Sequence, residues 1–141
     1  MSEFILVRVV VKIMVPFILL FALYVQMHGD YGPGGGFQAG VVFATGIIVY
    51  TIVFGIRRAV EAVPMTAVMA MVCCGLILYA GTGFATMALG GEYLNYSVLD
   101  SADPVHGQHT GIIIIELGVG ITVAGVLTAV FLVFAERRAR R

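Results

Sequence analysis

HGDYGPGGGFQAG, residues 28–40, decides how this chain is laid out, because it separates two long apolar segments with a rigid, glycine-dense turn. Five glycines and one proline fall between Gly29 and Gly36. Glycine admits left-handed and otherwise strained backbone angles, and proline fixes φ, so such a turn lets neighbouring groups approach closely.

The composition around the turn says where it sits. Of 141 residues, 60% are hydrophobic and only 11% charged, and the mean hydropathy is +1.04. A soluble domain of this size is far less apolar, so the chain reads as a membrane protein. Eight basic residues balance eight acidic ones, which gives no footprint for a nucleic-acid partner. A hydrocarbon core about 30 Å thick needs about 20 apolar residues of helix. Four segments qualify, at about 8–27, 37–56, 64–88 and 110–135, and no stretch remains for a fifth. The expected fold is an all-α integral membrane protein, one four-helix membrane domain spanning residues 1–141.

Charge placement predicts the orientation. Arg8, Lys12, Arg57, Arg58, Arg137, Arg138, Arg140 and Arg141 all fall on one side of this four-span layout. Asp30, Glu92, Asp100 and Asp103 fall on the other, which has no Lys or Arg. The positive-inside rule then puts both termini in the cytoplasm. The first span is too long for a signal peptide, carries Lys12 and has no small-residue cleavage site after it, so it is expected to stay on the protein.

The first two connections are short and predict antiparallel hairpins. Residues 90–109 make a longer outer loop, expected to fold over the bundle or a neighbour. Pro16 predicts a kink in the first span. Lys12 lies about one turn inside the cytoplasmic end, where its stem can lift the ammonium to the headgroups; a buried ion partner is the sharper alternative, which makes Lys12 a candidate for the ion or proton path beside Glu116. In the third span Gly75, Tyr79, Thr82 and Thr86 share a face and predict a helix contact, as do Gly36, Gly40 and Phe43 in the second. Cys73 and Cys74, adjacent in the third span, read as small packing residues.

Glu116 is the one acidic residue inside the apolar fourth span. Counted from that span's expected start it lies about 9 Å below the boundary. An intramembrane carboxylate is a functional candidate. It reads as part of a proton or ion path, as a hydrogen bond between helices, or as a group in a solvated cleft. Glu116, Gly120, Val123 and Leu127 share one side of the helix; Gly118, Thr122, Gly125 and Ala129 share nearly the opposite one. With both sides expected to face protein, the pattern favours packing inside a larger assembly. His28, His106 and His109 fall at helix ends or in loops, so neither a haem nor a metal site is expected, and no cofactor. The chain carries no nucleotide-binding or catalytic-triad pattern, and it is expected not to be an enzyme.

At the turn the sequence resembles the MnhB/MrpB family, small membrane subunits of multisubunit Mrp-type Na+/H+ antiporters. The resemblance rests on His28-Gly29, then Pro33-Gly34-Gly35-Gly36-Phe37, then Gly40. A second motif, acidic residue, spacer, Gly-Val, is matched by Glu116, Leu117, Gly118 and Val119, and the resemblance covers essentially the whole chain. It implies a multi-pass component of a hetero-oligomeric secondary transporter in a bacterial or archaeal cell membrane. The transported ions would be Na+ and H+, and the partners the other large and small membrane subunits, with membrane lipid around them. A membrane subunit of a redox-driven pump, such as a membrane-bound hydrogenase, is the alternative, and a purely structural scaffold subunit another. A small multidrug transporter would carry its carboxylate in the first span, which has none. On this reading the turn marks the family, and Glu116 is the residue expected to act in ion movement.

Overall fold

A computed structural model describes residues 2–29 and 32–139; Asp30, Arg140 and Arg141, which entered the charge argument, lie outside the described residues. All regular structure among those residues is helical. The helices are α1 (Ser2–His28), α2 (Gly36–Phe54), α3 (Ile56–Ala62), α4 (Met65–Ala88) and α5 (Pro104–Ala139), with a 3-10 turn at Tyr96–Leu99. Four of them are long and apolar enough to cross a membrane: Ile5–His28, Gly36–Phe54, Met65–Ala88 and Pro104–Arg138.

Across the bundle the order is α1, α2, α5, α4, so the last helix of the chain lies in the middle. The two small-residue sides of the final helix, read as favouring a larger assembly, are covered by helices of this chain itself. One side meets α2 and the other meets α4, both within this chain. Glycine makes that possible. A Cβ at Gly40 would stand 2.6 Å from the Gly120 carbonyl oxygen, and one at Gly118 would stand 3.0 Å from the Gly75 carbonyl oxygen. In a membrane, where lipid is as apolar as leucine, such close backbone contact is a main source of helix association.

At the arginine end, Gly55 has φ +89 and turns the chain from α2 into the short α3. Ala59 of α3, Val68 of α4, and Ala129 and Leu132 of α5 form a buried cluster there, with Tyr50 and Met65 packed against it. Arg57 and Glu61 sit one turn apart at 3.9 Å and are well exposed, a pairing that contributes little. α1 runs as one helix through Pro16. Cys73 and Cys74 are exposed on α4, so they do not pack inside this chain.

The opposite end is stepped. The final helix begins at Pro104, not near 110, and the connector shrinks to residues 89–103. Proline suits the first helical position, and the capping carboxylates explain the earlier start. Asp103 accepts from the Val105 and His106 backbone N–H groups at 3.1 and 3.2 Å. Asp100 accepts from those of Ala102 and Asp103 at 3.0 and 3.1 Å. His106 and His109 are therefore on the helix. The connector folds over its own α4–α5 hairpin: the Tyr93 ring fills the space over Gly83, and the Tyr96 ring covers Gly111. Buried Thr86 organises it. Its hydroxyl lies 2.8 Å from the Gly83 carbonyl oxygen and 3.1 Å from that of Glu92, and accepts the Leu94 N–H at 3.0 Å. That last bond holds Leu94 at φ +64, a left-handed angle a leucine rarely adopts.

Candidate functional site

The α1–α2 turn ends lower than the α4–α5 hairpin. α2 begins level with Glu116 of α5, whereas α5 continues for another twelve residues, 104–115, beyond it, or about 18 Å of helix. Against α2, then, Glu116 is at the helix end; against α4, which runs on past the level of Tyr79 and Gly118, it is well inside. The depth counted from residue 110 misplaces it, because the helix starts earlier and the neighbouring helices end at different heights.

The turn and Glu116 come together. The Gly35 N–H points at the Val25 carbonyl of α1, 3.3 Å away, which folds the turn back onto the helix it left. Gly35 has φ +110 and ψ 173, a region essentially restricted to glycine. A Cβ there would stand 2.9 Å from Glu116 Oε1. At Gly29 it would stand 2.6 Å from Oε2, and at Gly36 it would run into the Glu116 carbonyl oxygen. At Gly34 it would meet the Val25 carbonyl oxygen at 2.9 Å. The glycines thus leave the volume that the carboxylate and the α5 backbone occupy.

His28 closes the last turn of α1, where its ring stacks on Tyr24 with centroids 5.4 Å apart. Its Nε2 reaches toward Gly32. Pro33 and Phe37 are exposed. One turn into α2, Gly40 packs on Gly120 and Val123.

A depression of about 340 Å³ opens beside the carboxylate, lined by Gly34–Gly36, Phe37, Gln38, Ile115, Glu116 and Val119. On the other side of the α2–α5 seam is a smaller apolar cleft of about 110 Å³, between α1 and Met71 of α4, with Gln26 as its polar side chain. Gln26 Oε1 packs over Gly120. Neither glutamine stood out in the sequence. The readable signal was their position, Gln26 just before the turn and Gln38 near its end.

The remaining residues fall elsewhere. Gly75 receives Thr122, whose hydroxyl donates to the Gly118 carbonyl at 2.8 Å. Gly125 packs on Val72. Thr82 is buried and donates to the Leu78 carbonyl at 2.7 Å. These residues form the α4–α5 seam, away from the carboxylate. Lys12 is exposed on α1, sixteen residues before His28, and is not brought to Glu116.

The glycine run and the Glu116 segment are thus two halves of one feature, and both lie within a single family match. A family described as "Domain related to MnhB subunit of Na+/H+ antiporter" matches residues 6–129. The chain belongs to the MnhB family. Family relatives include mnhB2 of Staphylococcus haemolyticus (strain JCSC1435), named as an antiporter subunit, which is 32% identical over 130 residues, covering 91% of this chain and 92% of that protein. The mnhB2 proteins of Staphylococcus epidermidis (strain ATCC 12228 / FDA PCI 1200) and Staphylococcus aureus (strain Newman) are each 30% identical over the same shares. Family membership and four apolar helices make this a multi-pass membrane protein and a transporter component.

Proposed function

We propose that this chain is a membrane subunit of a Na+/H+ antiporter complex, and that Glu116 in its glycine cradle is a station on the ion route. Family membership supports the first statement. The observation that carries the second is the meeting of the carboxylate oxygens with Gly29 and Gly35 of the turn. A carboxylate held at a helix seam favours neutralisation, by a proton or by a cation. Exchange of one for the other at a single carboxylate keeps the site neutral, which is the elementary event an antiporter needs. The depression between Gln38, Ile115 and Val119 gives an ion its approach to the carboxylate. The redox-linked and scaffold alternatives draw no support from the family description.

Both termini lie in the cytoplasm on this reading, by the charge asymmetry, and the turn faces outward from a bacterial or archaeal cell membrane. The partners are the complex's other membrane subunits. Lys12, near the arginine end, serves as a headgroup anchor and not as part of the path.

The test is Na+-dependent proton exchange in vesicles holding the whole complex, wild type against Glu116→Gln, with assembly checked by pull-down. Exchange should fall about a hundredfold or more in an assembled complex, the range expected for losing a group that carries the proton. Normal exchange in an assembled variant sinks the station.

A further inference from the structure

Gln38 stands where a helix often caps itself, as the third residue of α2. A glutamine there ordinarily closes a capping box by accepting from the N–H of the capping residue. Here that N–H, of Gly35, points at the Val25 carbonyl of α1 instead. Side chains on a helix lean toward its N-terminus, so exposed Gln38 leans back toward the turn. It lines the depression of about 340 Å³ beside the Glu116 carboxylate, whereas Phe37, Ile115 and Val119 around it are apolar.

The backbone adds a further oxygen. A trans peptide is planar, and its N–H and C=O point opposite ways. With the Gly35 N–H turned to α1, the Gly34 carbonyl faces away from α1. Gly34 lines the same depression, which lies across the α2–α5 seam from the cleft beside α1. The φ of +110 at Gly35 sets this orientation. A residue held to the ordinary φ range, roughly −60 to −160°, would turn that peptide about half-way round and swing the carbonyl toward α1.

We propose that Glu116, the Gly34 carbonyl and the Gln38 side-chain oxygen form a three-oxygen site for Na+ in this depression, with Gln38 setting the preference for Na+ over a proton. This rests on the reading of Glu116 as a station on the ion route. A hard cation takes oxygens from carboxylates, amides, backbone carbonyls and water together, and non-helical backbone beside a helix end supplies such carbonyls in membrane transporters. A proton needs one carboxylate oxygen, so the amide and the carbonyl favour Na+ alone. The positive end of α2 opposes a cation with about half an elementary charge. The full charge of the carboxylate outweighs it, and the opposition keeps the site weak enough to release its ion.

Proton exchange by the whole complex in vesicles, followed against Na+ concentration, tests the site with Gln38→Leu, assembly being checked by pull-down. The apparent KM for Na+ should rise at least about tenfold, the range for losing a polar contact to a charge, while the rate at saturating Na+ stays near wild type. Gln38→Glu keeps an oxygen at the same reach and should hold KM at or below the wild-type value. Na+, against K+ at equal ionic strength, should also slow hydrogen exchange in the peptide from Gly34 to Gln38 of the wild-type complex, and not in Gln38→Leu. An unchanged KM in Gln38→Leu, a lost rate with KM unchanged, or hydrogen exchange indifferent to Na+ overturns the site. Glu116→Gln tells the two ideas apart. Slow exchange there beside an unchanged KM in Gln38→Leu keeps the station and removes the Na+ site, whereas normal exchange in Glu116→Gln removes both.

Discussion

α5 carries two glycine seams that use the same residue type for opposite ends. Toward α2, at Gly36, Gly40 and Gly120, the missing side chains let backbone meet backbone and admit a carboxylate. At the α4–α5 cap, Gly83 and Gly111 are seats for the Tyr93 and Tyr96 rings. The first seam leaves the Glu116 carboxyl group beside an open depression. The second is filled by aromatic surface and tied by the Thr86 hydroxyl. A glycine therefore does not reveal its role by identity; what occupies the vacated volume does. An ion site needs vacated volume that stays accessible, whereas a scaffold needs it filled.

The comparison breaks most sharply at Gly36. Any side chain there meets the Glu116 backbone, which cannot swing aside as a rotamer would. Gly36→Ala should destabilise by about 3 kcal/mol, the upper part of the overpacking range, and sharply lower recovery of assembled complex. Gly81→Ala is the control, since a Cβ at Gly81 meets nothing within 4 Å. Thermal aggregation of the detergent-solubilised protein should shift markedly for the first and hardly at all for the second; equal shifts would remove the special role of the α2 seam.

At the cap the expected effect is smaller. Thr86→Val keeps the shape and deletes the hydroxyl, leaving the Leu94 N–H without this acceptor. It should cost about 1–3 kcal/mol and speed hydrogen exchange at Leu94. Na+/H+ exchange by the complex should stay near wild type if the cap is scaffold. A transport loss as large as that of Glu116→Gln, without loss of stability, would merge the two regions functionally.

The smallest effect is a pH response confined to the cap. Backbone N–H groups of Asp103 and Ala102, then the His106 ring at 3.1 Å, hold the Asp100 carboxyl below its ordinary value of 3.8. A depressed carboxyl stabilises the fold above its unfolded pKa and loses that contribution as pH falls through its folded one. Hydrogen exchange at Ala102 and Asp103 should therefore rise as pH drops below about 3.8, after correction for the intrinsic exchange rate. Asp100→Asn should weaken that dependence. An unchanged pH profile in the variant would remove Asp100 as the cause.

Much of the bundle was legible because hydrophobic length is a property of the chain itself. The apolar runs announced four spans, and Gly36, Gly40, Gly75 and Gly118 announced close seams. The stepped end was not legible. PVHGQHT, residues 104–110, looks like a loop by polarity, but Asp100 and Asp103 cap it into helix. The central place of α5 was missed too, because small residues on two sides of a helix say only that two neighbours exist. Whether they belong to the same chain depends on how the hairpins lie side by side.

The sequence by itself determined the membrane setting, the number of spans, the family through its turn, and Glu116 as a carboxylate out of place. Only the tertiary structure decided that turn and carboxylate are one site. Eighty residues separate Gly36 from Glu116, and no periodicity reaches that far. Their meeting follows from α2 lying parallel to α5 with its start level with Glu116. The turn therefore does more than mark the family: it forms the wall against which the carboxylate rests.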